Sequence, residues 1–224
     1  MRPYVYAIAL DYWKMTAGDF TDCTCHALCF CLTITEHPQE FNMPKNVLIA
    51  YFSHGGENLV DDQIVDLGNN GNTKIAAGLL QKALGEKGIK SNLFEIEPLI
   101  PYDRSYEGTL ARSRQEYQDG SAPLINDGPN GYEAYDVVFL GYPNWWGTIP
   151  APILSFLRDH DLSGKTIVPF VTHGGQRFLY SLESIQKEAP SAKLEPGFAI
   201  AAPYMSSASS VIMEWLKENL DKLA

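Results

Sequence analysis

The stretch "DVVFLGYPNWWGTIP" (136–150) decides how this chain is read. An apolar run closes near Leu140, and the residues from Gly141 to Pro150 read as loop, with Trp145 and Trp146 side by side. The sequence has only four tryptophans, so half of them stand in this one loop. Neighbouring side chains diverge on a strand or a helix, so the two rings cannot both face one core. A buried strand that ends in such a loop predicts one of two things. Either the rings plug the end of a sheet, or they hold a flat, partly apolar ligand.

Outward from this stretch, strand and helix signals alternate. "NVLIAYF" (46–52), "DVVFLGY" (136–142) and "TIVPFVT" (166–172) are continuous apolar runs, the mark of strands covered on both faces. "SNLFEIEP" (91–98) and "GFAIAA" (197–202) predict two more strands. Between the first two lie Ile75, Ala76, Leu79, Leu80, Ala83 and Leu84 at helical spacing, stopped by Gly88. The polar stretch 103–119 reads as a helix, as does "APILSFLRDH" (151–160), with Pro150 and Pro152 where a helix start tolerates them. Two further helices follow from "FLYSLESIQKE" (178–188) and from Val211, Ile212, Trp215, Leu216, Leu220 and Leu223 on one face. Alternating βα units predict an α/β fold, a doubly wound parallel sheet with helices on both faces. In such sheets ligands sit beyond the carboxyl ends of the strands. The loops after residues 52, 142 and 172 are therefore the candidate site.

Each of the three has suitable chemistry. The first is "SHGGENLVDDQIVDLGNNGNT" (53–73), in which Ser53 ends a strand and Gly71, Asn72 and Thr73 open a helix. Hydroxyls, an amide and free backbone N–H groups make an anion site without lysine or arginine. The same residues also serve as ordinary helix caps. Neither a P-loop nor a G-x-G-x-x-G dinucleotide loop is present. The second loop offers Tyr142, Pro143, Asn144, Trp145, Trp146, Gly147 and Thr148. The third is "THGG", Thr172 to Gly175, where Gly174 and Gly175 let backbone approach a ligand and His173 can donate a hydrogen bond.

The runs "VLIAYFS", "GNTKIAAG", "LFEIEP", "YDVVFLGYPNWWGTIPAP", "FLRDHDLSGKTIVPFVTHGG" and "SIQKEAP" resemble the flavodoxin family, in its branch with "WWGT" and "THGG" loops. The resemblance implies a five-stranded parallel sheet of order 2-1-3-4-5 carrying non-covalent FMN. It places Ser53, Gly71, Asn72 and Thr73 at the phosphate, with His54 beside them. It places Tyr142–Thr148 and Thr172–Gly175 around the isoalloxazine ring. One departure is plain: the family's Ser and Gly-Asn-Thr are nearly contiguous, whereas residues 54–70 intervene here. An excursion of this length costs little closure entropy if its ends stay together. The resemblance further implies a cytoplasmic electron carrier that serves redox partner proteins or a small-molecule electron acceptor. Two readings compete with it. One is an FMN-dependent NAD(P)H:quinone-type reductase, in which His173 or Tyr142 assists protonation. The other is a binding module that has lost its flavin.

Composition sets the outer bounds. A formal net charge of −10 argues against nucleic acid or an anionic membrane as partner. No apolar run reaches the roughly 18 residues of a membrane span. Cys23, Cys25, Cys29 and Cys31 crowd into "CTCHALCFC", whose spacing departs from the paired ligands of structural zinc, so no metal site is expected. Residues 1–42 lack sustained periodicity and are expected to be an extension outside the fold, with the domain spanning 43–224.

Overall fold

A computed structural model describes residues 46–223. The extension 1–42, its four cysteines and the boundary at Met43 lie outside the described residues.

The apolar run at the start forms β1 (Val47–Tyr51). A small antiparallel hairpin follows, β2 (Glu57–Val60) and β3 (Gln63–Asp66), and then α1 (Asn72–Glu86). The chain continues through β4 (Ser91–Glu95), α2 (Tyr106–Asp119), β5 (Val137–Pro143), α3 (Ala151–Asp159) and β6 (Thr166–His173). It ends with α4 (Ser181–Glu188), β7 (Lys193–Leu194), β8 (Phe198–Ala201) and α5 (Ala208–Asn219). The main sheet is parallel throughout, in the order β4-β1-β5-β6-β7, and β8 also pairs with β6. With β7 and β8 counted as one interrupted edge, this is the expected order 2-1-3-4-5.

Strand periodicity divides the core into two layers. Val47, Ile49, Phe139 and Phe170 pack with Leu80 and Leu84 of α1 and with Ile212 and Trp215 of α5. Leu48, Ala50, Leu140 and Val171 face the other way, onto Ile153 and Phe156 of α3 and Ile185 of α4. All five residues of β1 are buried, which accounts for the absence of polar alternation in its sequence.

The broken edge has a cause within β6. Glu195 donates its N–H to the Ile167 carbonyl, so that carbonyl faces the β7/β8 edge, and Pro169 two residues on faces the same side. Proline has no N–H to give there, and the edge strand parts opposite it. Gly197 fills the gap: a Cβ at that position would lie 1.7 Å from the Pro169 carbonyl oxygen.

The sequence reading is corrected in two places. β5 runs on through Pro143 rather than yielding to loop at Gly141, because Tyr142 and Pro143 still pair with Val171 and Thr172 of β6. The intervening stretch 54–70 is no bare excursion. Its centre is the β2–β3 hairpin, closed by Asp61 and Asp62, both with positive φ (51° and 60°) as a two-residue hairpin turn requires.

Candidate functional site

The strand order reverses at β1, which has β4 on one side and β5 on the other. A crevice beyond the carboxyl ends of β1, β5 and β6 follows from that reversal. A cavity of about 580 Å³ lies there, within the range of small-molecule sites.

One end of the cavity is built from backbone. Gly56 donates to the Gly68 carbonyl (2.7 Å) and Leu67 to the Gly56 carbonyl (2.8 Å), so the hairpin's stem is closed. Ser53 therefore meets Gly71 despite the 17 residues, 54–70, between them. The approach is close enough that a Cβ on Gly71 would lie 2.2 Å from the His54 carbonyl oxygen and 2.6 Å from Ser53 Oγ. Gly71 caps α1 without a side-chain hydrogen bond, and Ser53 Oγ instead accepts from Lys74 N–H (3.1 Å). The N–H groups of Asn72 and Thr73 belong to the unsatisfied first turn and find no acceptor among the described residues. This end of the cavity carries the positive pole of a helix.

The other end is a strained turn. Trp145 and Thr148 form an isolated antiparallel bridge, and Thr148 donates to the Trp145 carbonyl (3.0 Å). The two residues between, Trp146 and Gly147, have φ of 56° and 79°, the signature of a type I′ turn. Tryptophan is an uncommon occupant of left-handed backbone, at a cost of roughly 1–2 kcal/mol. The adjacent indoles diverge as the sequence requires. Trp145 packs edge-to-face with Phe52, Tyr102 and His54 at centroid distances of 5.3, 5.1 and 5.9 Å. Trp146 turns towards α2, where Nε1 donates to Ser113 Oγ (3.2 Å) and the ring stacks on Tyr117.

Asn144 fixes this turn to the loop after β6. Its N–H donates to the Thr172 carbonyl (2.8 Å) and Nδ2 to the Arg177 carbonyl (2.6 Å). Its Oδ1 is buried and has no hydrogen-bond partner. Thr172 Oγ1 in turn pairs with Thr73 Oγ1 at 2.7 Å, a buried tie between the two ends of the site.

In both histidines of the cavity the protonated form is disfavoured. Burial, and then the charge of Arg104, lower the pKa of His54, against a smaller opposing effect of Asp103; its Nε2 lies 3.2 Å from Thr109 Oγ1. Burial and then Arg177 lower that of His173, whose Nδ1 accepts from Gly175 N–H (2.9 Å). That bond leaves the His173 proton on Nε2.

Of the residues singled out by sequence, His54, Asn72 and Thr73 line one side of the cavity. Pro143, Asn144, Trp145, Trp146 and Gly147 line the second, and Thr172, His173 and Gly174 the third. Ser53, Gly71 and Gly175 stand behind the wall and shape it through the contacts above. Two assignments are revised. Tyr142 is fully buried in the core, its hydroxyl donating to Ser181 Oγ (3.0 Å), because β5 is still a paired strand there. Desolvation also pushes its phenol above the ordinary tyrosine range. Thr148 bonds Ser184 Oγ (2.7 Å) and faces a second cavity of about 390 Å³ on the far side of the Trp146 indole.

The sequence reading missed a fourth wall. Glu57, Asn58, Leu59 and Val60 of β2 line the cavity, as do Tyr106, Thr109, Leu110 and Ser113 of α2. The α2 residues stand at i, i+3, i+4 and i+7, a spacing visible in the sequence but masked by the polar character of the whole helix.

A family model described as Flavodoxin matches residues 46–219, most of the chain. The chain belongs to the flavodoxin family. Among solved structures, it is 30% identical to a provisionally named flavoprotein of Bacteroides eggerthii DSM 20697, with a TM-score of 0.61 over 77% of this chain and 96% of that one. A flavoprotein of Lactobacillus acidophilus NCFM, solved in complex with FMN, shares the fold at 20% identity and TM-score 0.55, over 75% of this flavodoxin-family chain and 98% of its own. No curated protein matches the chain. Among the described residues no helix is long and apolar enough to cross a membrane.

Proposed function

We propose that this protein binds FMN in the cavity beyond β1, β5 and β6 and uses it for electron transfer. The observation that carries the reading is the pairing of two unmet needs in one cavity. At one end the α1 N-terminus presents the unpaired N–H groups of Asn72 and Thr73, which suit a phosphate. Across the cavity, Asn144 Oδ1 is a buried acceptor without a donor, a need that a ring N–H meets. Bound there, FMN would supply one- or two-electron redox chemistry.

The chain's own residues do the rest. The α1 N-terminus offsets the phosphate charge without a lysine or arginine in the cavity wall. Trp145, Trp146 and the Thr172–Gly174 backbone offer apolar faces and dipoles to the ring and exclude water from it. Burial disfavours the protonated forms of His54 and His173, which limits the positive charge they offer to a reduced, anionic ring. Electrons would pass to a redox partner protein or a small-molecule acceptor, and the net charge of −10 suits a basic partner.

Purified protein, as isolated or after incubation with flavin, should show flavin absorption in the visible range. Heat release followed by chromatography should identify FMN. Recovery of FAD, or failure to take up FMN on reconstitution, contradicts the proposal.

A further inference from the structure

The β2–β3 hairpin has two edges, and one of them is closed. Glu57 of β2 donates its N–H to the Arg104 carbonyl (2.7 Å), and its carboxylate accepts from Tyr106 N–H (2.9 Å), so that edge is held against the start of α2. β3 pairs with β2 alone, and its four residues, Gln63–Asp66, are all exposed. The register tells which main-chain groups face outward. Val60 and Gln63 flank the two-residue turn and so form a hydrogen-bonded pair. Asn58 and Val65 are the next such pair, and the bond from Leu67 N–H to the Gly56 carbonyl (2.8 Å) keeps the alternation. Ile64 and Asp66 therefore turn their N–H and C=O groups away from β2, where they meet no main-chain partner among the described residues.

The main sheet shows how this chain closes such an edge elsewhere. Beyond β4, Asn126 donates its N–H to the Glu97 carbonyl (2.8 Å) and Nδ2 to the Glu95 carbonyl (2.9 Å), while Leu99 N–H donates to the Leu124 carbonyl (2.9 Å). Among the described residues no such segment lies along β3. Its edge presents Ile64, 55% exposed, and Val65, without the proline or lysine that commonly guards a bare strand. The edge is also held in place. Arg104 reaches Asn69 Oδ1 (3.0 Å) and the Gly68 carbonyl (3.3 Å) at the hairpin's stem.

Charge selects what could pair there. Residues 57–66 hold Glu57, Asp61, Asp62 and Asp66 and no lysine or arginine. Arg104 lies 3.6 Å from Asp66 Oδ1, but both side chains are mostly exposed, and such a pair is worth little. A period of two puts Ile64 and Asp66 on one face of β3, an apolar contact and an anionic one two residues apart. A second copy of the hairpin would bring the same acids to the seam, where like charges repel. A strand with an apolar side chain opposite Ile64 and a lysine or arginine opposite Asp66 satisfies both positions, and the net charge of −10 draws it in.

We infer that the outer edge of β3 is a docking site for an extended, basic segment of a partner protein, which adds to the hairpin as a third strand. Main-chain bonds to Ile64 and Asp66 supply the pairing, and the alternation of apolar and cationic side chains supplies the choice of partner. Neither residue lines the FMN cavity, so this inference stands apart from the FMN reading.

The test is fluorescence anisotropy of the labelled peptide TKVTKVTKT titrated with the full-length protein as purified. The peptide should bind. The same peptide N-methylated at each threonine keeps every charge and side chain but carries a methyl on both edges of the strand, and should bind at least tenfold more weakly. Ile64→Pro removes the outward N–H at a position where an edge tolerates proline, and should also weaken the peptide at least tenfold. Asp66→Asn keeps the acceptor for Gly68 N–H and removes the charge, and should weaken it at least threefold. No binding of the peptide overturns the inference. Equal binding of the N-methylated peptide, or an affinity unmoved by both variants, also overturns it, because charge alone would then account for the attraction. Self-association of the parent protein that Ile64→Pro abolishes overturns it too, since the edge would then belong to a second copy. If Ile64→Pro does not fold, the N-methylated peptide and Asp66→Asn decide.

Discussion

The two ends of the cavity hold their shape by different means. The end at α1 is backbone against backbone: Gly71 lies so close to His54 and Ser53 that no side chain fits, and the groups offered are main-chain N–H. The end at β5 is side chains on a strained turn: Trp146 in left-handed backbone, Trp145 lodged among aromatics, Asn144 with an unmet acceptor. A backbone site is all-or-none, since one added methyl obstructs it. A side-chain site is graded, since each ring or amide can be removed separately.

The largest effect should therefore follow from Gly71→Val. Its Cβ would fall within 2.2 Å of the His54 carbonyl oxygen, so the helix start must move away from Ser53. FMN affinity should drop at least a hundredfold, about 2.7 kcal/mol or more, as read by flavin titration on protein whose fold is checked by circular dichroism. Retention of parent affinity would remove the backbone end from the site.

At the ring end the two tryptophans should separate by their surroundings. Trp145→Ala should cost about 3 kcal/mol of stability, the low end for a large buried aromatic, because part of the ring faces the cavity. Trp146 carries a second, opposite contribution. Trp146→Gly should be about 1 kcal/mol more stable than Trp146→Ala, because glycine accepts φ of 56° without penalty. Urea denaturation of the three variants tests both points, and alanine equal to or better than glycine at 146 would show the turn to be unstrained.

The sequence made one of these ends far more legible than the other. β1, β5 and the Ile167–Val171 centre of β6 are runs without charged or amide residues, and their burial on both faces leaves a pattern that a single sequence displays. The loops that follow them were found by their place at the strand ends and by their own glycine, hydroxyl, amide and tryptophan content. Tyr142 was counted with the loop because Gly141 reads as its start; pairing to Val171, a partner 29 positions away, keeps it in the core. The hairpin was missed because its turn, Asp61-Asp62, lacks the glycine that usually marks such turns, and because its strands are largely exposed. The inner face of α2 was hidden for a related reason. Its lining residues are mostly hydroxyl-bearing, as suits a cavity wall, and hydroxyls give no hydrophobic period.

The smallest effect concerns pH. The pKa values of His54 and His173 are lowered on folding, whereas an unfolded histidine titrates near about 6.5. Above that pH both states are neutral and stability is full. As pH falls below it, the unfolded chain takes up protons that the folded one resists, so stability is lost. His54→Asn should flatten this decline, and bound FMN should also reduce it, because a phosphate beside His54 favours its protonated form. Denaturation midpoints at several pH values, with and without FMN, provide the check. An identical slope in parent and variant would mean His54 contributes nothing.

The central claim, that the α1 N-terminus grips a phosphate, is tested most directly by titrating the flavin-free protein with FMN and with riboflavin, which lacks the phosphate. Hydrogen bonds to a charged group are worth about 1.5–3 kcal/mol each. Two from Asn72 and Thr73 should make FMN at least a hundredfold tighter than riboflavin. Equal affinity for the two flavins would contradict the account.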